Sequence, residues 1–309
     1  MKIVFLDAAT LGDSALDSIA ALGELKCYPS STPEEAKERV GDCDVLIVNK
    51  VRVTRELLSA APHLRLICEA ATGVNNIDLD AAAERSIPVR NVAGYSTDTV
   101  VQVTFTHLLS LFSQAPYFDA RVKDGTYTAG GLFVDLSRSF AEMKGKVLGI
   151  VGMGTIGHKV ADIAAAFGME VIYYSTSGTG HCTDFPCVGI EELLRRSDAI
   201  TIHAPLNGRT DGLIGEQRLR LMKPTAFVIN LGRGGIVDEA ALAAAVDEGI
   251  IAGAALDVFV REPLPADSPL LNMKHPERMR FSPHMGWASV EARARLVDGI
   301  ADNIAKGGF

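Results

Sequence analysis

"VGMGTIGHKV", residues 151–160, spells Gly-x-Gly-x-x-Gly directly behind the apolar run 147–151. Its reading decides the fold, because such a loop works only where a strand of a parallel sheet feeds a helix. Gly152 permits the tight turn, Gly154 lets the backbone approach a pyrophosphate, and Gly157 lets the helix pack closely on the strand. The helix N-terminus offers unpaired N–H groups and a partial positive charge to phosphates. Ile156, Val160, Ile163, Ala164 and Phe167 then share one helical face, and residues 170–174 read as the next strand. A lone glycine motif can be a plain structural turn. The complete βαβ unit around this one argues for a bound dinucleotide.

The same alternation continues in both directions. After residue 146 the strand-like runs are 147–151, 170–174, 199–203, 226–230 and 253–257, with helices at 156–167, 191–196, 215–222 and 238–248. Before it, extended runs at 2–7, 25–28, 44–49, 64–69 and 88–91 alternate with helical segments at 14–22, 54–60 and 78–85. Thr32-Pro33-Glu34-Glu35 begins a further helix, with a cap, proline at the first position and an acidic first turn. Residues 99–112 read as one long helix, and 114–143 show little periodicity. The expected fold class is α/β: two doubly wound parallel-sheet domains, Rossmann- or flavodoxin-like, with a cleft between them. Val290, Leu296, Val297, Ile300 and Ile304 recur at helical spacing, so the last segment is expected to return and cover the N-terminal unit. Residues 1–97 and 287–309 then form one discontinuous domain for the substrate, and 98–286 the dinucleotide-binding domain.

Composition narrows the partners. The 309 residues are 48% hydrophobic and 22% charged, the balance of a soluble globular protein. A net charge of −8 argues against nucleic acid, which wants a basic patch. No run reaches the roughly 18 apolar residues that span a membrane, and MKIVFLDAAT reads as a first strand. Five cysteines (Cys27, Cys43, Cys68, Cys182, Cys187), odd in number and mostly within apolar segments, suggest buried free thiols in a reducing, cytoplasmic compartment. His181, Cys182 and Cys187 match no zinc spacing, so no metal is expected.

The cofactor reading is NAD, with NADP open. An acidic residue about 20 positions past the glycine loop usually holds the ribose hydroxyls. Here that position falls in Tyr174-Ser175-Thr176-Ser177, so Ser175 and Thr176 present hydroxyls where a carboxylate would exclude a 2′-phosphate. No neighbouring Arg or Lys in the sequence welcomes that phosphate either. His203, ending a strand, is expected to line the adenine side.

Three polar residues fall just beyond strands of the second unit: Arg233 in NLGRGG, Glu262 in DVFVREP and His284 in FSPHMGW. In an open parallel sheet, ligands bind beyond the carboxyl ends of the strands. Reduction of a carbonyl by hydride needs a proton for the developing alkoxide, which an imidazolium can give. A carboxylate can orient that ring, and a guanidinium can grip a substrate carboxylate through two parallel hydrogen bonds. Singly, each has an ordinary reading as surface charge, loop acid or core histidine. Together, behind a dinucleotide loop, they suggest one catalytic set. His107 reads as a packing residue on its long helix, and His63, His158, His181 and His275 as surface.

On these motifs the chain resembles the D-isomer-specific 2-hydroxyacid dehydrogenases over essentially its whole length. The matching stretches are GIVGMGTIG, HAPL with Thr210 after it, NLGRGGIVDEAAL, AGAALDVFVREP and SPHMGW. The resemblance implies that His284 is the acid/base, Glu262 its partner and Arg233 the substrate anchor. It implies that Thr72, Gly73 and Val74, within the loop 71–75, hold the substrate carboxylate through backbone N–H groups. Cofactor contacts would come from Thr104, Gly152, Met153, Gly154, Thr155, Ile156, Gly157, His203, Ala204, Pro205, Thr210, Leu231, Gly232, Asp257, His284 and Gly286.

EAATGVNNIDL and NVAGYSTDTVVQ look most like the glycerate dehydrogenase/hydroxypyruvate reductase branch, so hydroxypyruvate/D-glycerate or glyoxylate/glycolate are the implied substrates. Ser175 departs from the Asp usual in NAD-dependent members. The segment 114–143 resembles the family's dimer arm, and its aromatics (Tyr117, Phe118, Tyr127, Phe133, Phe140) would be covered by a second copy in a homodimer. The competing readings are a non-catalytic dinucleotide sensor on the same fold and a dehydrogenase for another D-2-hydroxy acid. A formate or phosphite enzyme is disfavoured, since formate enzymes carry Gln where Glu262 stands.

Overall fold

A computed structural model describes residues 1–307; Gly308 and Phe309, the end of the predicted discontinuous domain, lie outside the described residues. The chain divides into two compact units, Met1–Ser96 with the segment from Trp287 onward, and Thr97–Gly286.

The first unit alternates β1 (Lys2–Phe5), α1 (Asp17–Ala20), β2 (Glu24–Cys27), α2 (Pro33–Arg39), β3 (Val45–Val48), α3 (Arg55–Ser59), β4 (Leu66–Glu69), α4 (Leu79–Glu84) and β5 (Val89–Arg90). All strand pairs are parallel, in the order β2-β1-β3-β4-β5. The inner strands β3 and β4 are buried at every position, as both faces of a helix-covered parallel sheet must be. The predicted start of α2 forms a full capping box: the Thr32 side chain accepts from the Glu35 N–H, and the Glu35 carboxylate accepts from the Thr32 N–H at 2.8 Å. The expected helix over 14–22 shrinks to the single turn of α1.

The second unit begins with α5 (Thr97–Ser113), α6 (Ala115–Lys123) and α7 (Thr126–Gly130). It continues through β6 (Val147–Val151), α8 (Thr155–Ala166), β7 (Glu170–Tyr174), α9 (Ile190–Arg196), β8 (Ala199–Ile202), α10 (Glu216–Leu219), β9 (Phe227–Asn230), α11 (Glu239–Asp247), β10 (Gly253–Leu256) and β11 (Met279–Phe281). Its six strands run parallel in the order β11-β10-β9-β8-β6-β7. The glycine loop therefore leaves β6 where the winding reverses, the position at which doubly wound sheets bind ligands. The sequence puts a strand before His284 without bounds; it is β11, whose three residues are too few for a period-2 pattern.

The chain then rejoins the first unit as α12 (Val290–Ala305). Leu296, Val297, Ile300 and Ile304 are buried in one cluster with Ile3, Phe5, Val45 and Leu66, roughly 2 kcal/mol of hydrophobic stabilisation per side chain.

Two local expectations change. On α8 the buried stripe is Val160, Ala161 and Ala164, while Ile163 and, just past the helix, Phe167 stay partly exposed; Gly157 seats the helix closely on the glycine turn, because a Cβ there would meet the Gly152 carbonyl oxygen at 2.3 Å. The cysteines divide: Cys43 and Cys68 are buried, Cys27 and Cys187 are exposed and Cys182 lies between, all with free thiols. Among the described residues no helix is long and apolar enough to cross a membrane.

Candidate active site

The glycine loop fits a dinucleotide pyrophosphate. Gly152 has φ +95°, and a Cβ on it would meet the His203 carbonyl oxygen at 2.9 Å, so only glycine turns here. A Cβ on Gly154 would meet no atom within 4 Å, and no side chain caps α8 at this residue. The first turn of Thr155, Ile156 and Gly157 thus offers N–H groups to a ligand, with Met153 in the turn before it.

Past β7, the Ser175 hydroxyl donates to the Thr179 carbonyl at 2.5 Å and lies 3.0 Å from the Ser177 hydroxyl. The structure also brings a cation to this loop: the Arg209 guanidinium donates to the Ser177 carbonyl at 2.6 Å. Arg209 comes from the segment after β8, so neighbours in sequence gave no sign of it. Thr210, beside it, is buried and its hydroxyl donates to the Pro205 carbonyl at 2.6 Å, fixing the turn after Ala204. Both ring nitrogens of His203 are buried without a protein partner among the described residues, and burial pushes this imidazole down to about 4. A neutral ring with free nitrogens can meet a cofactor but cannot serve as a proton donor near neutral pH.

Arg233, Glu262 and His284 follow β9, β10 and β11, three neighbouring strands of one sheet. His284 Nδ1 stands 2.6 Å from Glu262 Oε2. Since a carboxylate only accepts, the proton of that bond belongs to Nδ1, which frees Nε2 for a substrate. Glu262 is itself fixed, its other oxygen accepting from the Phe259 N–H at 3.0 Å. The Arg233 loop packs against the same stretch: a Cβ on Gly234 would lie 2.0 Å from the Phe259 carbonyl carbon. The Asn230 side chain holds this loop from both ends, donating to the Arg233 carbonyl at 2.8 Å and accepting from the Gly232 N–H at 2.9 Å. The Arg233 guanidinium donates to the Gly232 carbonyl at 2.8 Å. The structure thus joins His284 to Glu262 and sets Arg233 on the adjoining strand end.

Behind His284 lies a buried polar chain that the sequence reading missed. His284 has φ +51°, an uncommon conformation for a residue with a side chain. Its N–H donates to the Asp257 carbonyl at 2.8 Å. The Asp257 carboxylate accepts from the N–H groups of Met285 (2.9 Å) and Gly286 (2.8 Å) and from the Ser282 hydroxyl (2.6 Å). Gly286 must be glycine, because a Cβ there would meet that carboxylate at 2.8 Å. Ser282 spends its proton on Asp257, so His107 Nε2, 3.0 Å away, must donate to it. His107 is therefore a hydrogen-bonded member of this chain as well as a packing residue, and burial lowers its pKa. Thr104, one turn earlier on α5, is wholly buried and its hydroxyl donates to the Val100 carbonyl. Leu231 packs in the cluster that contains Val100 and Ile229.

In the first unit, the loop after β4 carries Thr72, Gly73 and Val74. None of their three N–H groups donates a hydrogen bond to a described residue, and such consecutive free donors suit an anion. The loop is tied at its ends: Thr72 Oγ1 donates to the Val92 carbonyl at 3.1 Å, and Asn76 Nδ2 to Glu69 Oε2 at 2.9 Å and the Val51 carbonyl at 3.1 Å. Glu69 is fully buried with Oε1 unpartnered, and burial, aided by nearby Asp7, pushes it up to about 8 against the pull of Asn76. Its place at the end of an all-apolar strand was the only available sequence signal.

With this geometry in hand, the relatives are informative. A family model described as "D-isomer specific 2-hydroxyacid dehydrogenase, NAD binding domain" matches residues 105–286. The chain is 34% identical over 311 residues to a hydroxypyruvate reductase of Blautia hydrogenotrophica, covering 98% of this chain and 96% of that protein. It is 37% identical over 302 residues to a glyoxylate reductase of Korarchaeum cryptofilum, covering 94% and 89%. The crystal structure of the TT0316 protein from Thermus thermophilus superposes with a TM-score of 0.90 at 32% identity, over 99% of this chain and 96% of that one. A matched cofactor domain, full-length relatives and a histidine–glutamate pair at adjacent strand ends agree: the chain belongs to the D-isomer-specific 2-hydroxyacid dehydrogenase family and is an NAD(P)-dependent oxidoreductase of hydroxy acids.

Proposed function

We propose that the protein reduces a short 2-keto acid, hydroxypyruvate or glyoxylate, to the D-2-hydroxy acid, and that His284, Glu262 and Arg233 carry the chemistry. The nicotinamide, when bound, supplies the hydride. His284 gives its Nε2 proton to the carbonyl oxygen as that oxygen gains charge, and Glu262 holds the ring through Nδ1. Arg233 grips the substrate carboxylate and polarises the adjacent carbonyl. The N–H groups of Thr72, Gly73 and Val74 serve substrate binding, which makes the first unit the substrate domain. The second unit is the dinucleotide domain, with the turn 152–157 on the pyrophosphate and Ser175 and Thr176 at the ribose. His203, Ala204, Pro205 and Thr210 lie along the adenosine half, and Thr104, Leu231, Gly232, Asp257, His284 and Gly286 toward the nicotinamide.

The observation that carries this reading is the 2.6 Å contact of His284 with Glu262 downstream of the glycine loop. His284→Ala should lower kcat by roughly 10²–10⁴-fold, the range for losing a general acid, with cofactor affinity near normal. Full activity in that variant overturns the assignment. No turnover by the wild type with hydroxypyruvate, glyoxylate, pyruvate or larger keto acids would favour the non-catalytic sensor.

Arg209 bears on cofactor choice. A guanidinium on the Ser177 carbonyl, with no acidic residue in 174–177, supports acceptance of a 2′-phosphate, so both NADH and NADPH serve. Ser175→Asp should shift the ratio of catalytic efficiencies toward NADH, and Arg209→Ala should weaken NADPH alone. Unchanged ratios mean the ribose pocket lies elsewhere.

The protein is further proposed to be a cytoplasmic homodimer joined through 114–143. Tyr117 and Phe118 pack edge to face at 5.2 Å, and Phe118 and Phe140 at 6.2 Å, so part of the aromatic set is satisfied within the arm. Phe133 (93% exposed), Leu136 (80%) and Leu132 (70%) remain as an apolar patch for a second copy. Sedimentation of Phe133→Asp/Leu136→Asp tests this; an unchanged mass refutes the arm as the interface.

A further inference from the structure

Cys182 has no partner of zinc spacing in the sequence, but the fold supplies one. The loop between β7 and α9 lays Cys182 and Asp184 against the second turn of α8, where His158 projects. Ligand atoms of all three lie within 4.8 Å of one another, and His158 Nε2 is 3.1 Å from Asp184 Oδ2. We infer that His158, Cys182 and Asp184 form a binding site for a divalent transition metal of the zinc type, outside the catalytic machinery.

The donor set argues for that class. Imidazole nitrogen, thiolate sulfur and carboxylate oxygen together suit zinc, whereas magnesium and calcium take oxygen alone. Zinc bond lengths in a tetrahedron put nitrogen and oxygen ligands about 3.4 Å apart and sulfur about 3.6 Å from either, so Cys182 has to move in by about 1.2 Å at most. The fourth corner stays open to water, since His158 and Asp184 are 40% and 65% exposed.

Each ligand is also supported from behind. Asp162, one turn along α8, stands 3.3 Å from His158 Nδ1, a carboxylate beside the ring of the kind that orients a histidine toward a metal. Phe185 packs edge-on to the same ring at 6.0 Å. The Cys182 backbone is pinned on both sides by the hydroxyl of the buried Tyr173, which donates to its carbonyl at 3.0 Å and accepts from its N–H at 3.3 Å. Residues 186–188 pair with the edge of β7 through the Tyr173 N–H and carbonyl, so the loop is held before any metal arrives. Without metal, the two carboxylates favour the imidazolium, Asp184 more strongly.

The test is a cobalt(II) titration of the full-length, chelator-stripped protein, followed by absorption. The expected result is one cobalt per chain with a thiolate-to-cobalt charge-transfer band, displaced by zinc. The band should vanish in Cys182→Ser. Affinity should fall at least tenfold in His158→Gln or Asp184→Asn, and about 10–100-fold in Asp162→Asn. Circular dichroism checks that each variant is folded. Absence of the band overturns the site, as does its persistence in Cys182→Ser, which would place the metal on another thiol. Undiminished affinity in His158→Gln overturns it too.

Discussion

Two buried carboxyl groups, Asp257 and Glu69, occupy equivalent places in the two units. Each stands at the carboxyl end of an inner parallel strand, β10 or β4, and both are shielded from solvent. Asp257 accepts from three donors, two backbone N–H groups and one hydroxyl. Among the described residues Glu69 has only the Asn76 amide, keeps one oxygen unpartnered and is pushed up to about 8. Burial is the same; the supply of donors differs. A well-supplied carboxylate becomes a fixed clamp for the loop that bears His284. A poorly supplied one becomes a titrating group beneath the loop 72–74.

That contrast can be broken at its strong end first. Asp257→Ala leaves three donors without an acceptor, each worth about 1–3 kcal/mol when buried. Turnover should fall roughly 10²–10³-fold, and unchanged kcat in a folded variant would show that the clamp does not set His284.

Glu69 gives the next largest effect, in stability. Its carboxyl is raised from 4.5 to about 8 on folding. The neutral form's contribution is therefore complete below pH 4.5, is lost as pH rises through 8, and costs about 3 kcal/mol by pH 7. Glu69→Gln should remove this slope and be the more stable protein above pH 7. Urea unfolding at pH 5, 7 and 9 decides; parallel profiles would refute it.

Asn76→Ala cuts the tie between Glu69 and the loop. KM for the keto acid should rise about 5–10-fold, near 1 kcal/mol for one hydrogen bond, with kcat within twofold. A fall in kcat at constant KM would place the loop outside substrate binding. The smallest effect belongs to His107. His107→Leu should lower kcat a few-fold, and His107→Gln, whose amide nitrogen can replace Nε2 toward Ser282, should restore most of it. Equal losses in both variants would reduce His107 to packing.

Much of this was legible from residues close together in the chain. The glycine loop, the βα alternation and the Thr32 capping box are local patterns, and each formed where its spacing indicated. The helix over 14–22 did not: only the single turn Asp17–Ala20 formed. The bounds of β11, the strand that delivers His284 to Glu262, were not legible for want of length.

The sequence by itself determined the class of chemistry: glycines with a backbone reason at 152, 154 and 157, and a guanidinium, a carboxyl and an imidazole each placed just beyond a strand. Those are short-range rules of sterics and periodicity. Tertiary structure alone decided which groups meet. It set Arg209 on the Ser177 carbonyl, His107 behind Ser282, and His158 against Cys182 and Asp184, pairings that join segments 24 to 175 residues apart. The physical reason is that a side chain's partners are fixed by sheet order and helix packing, which no local spacing encodes.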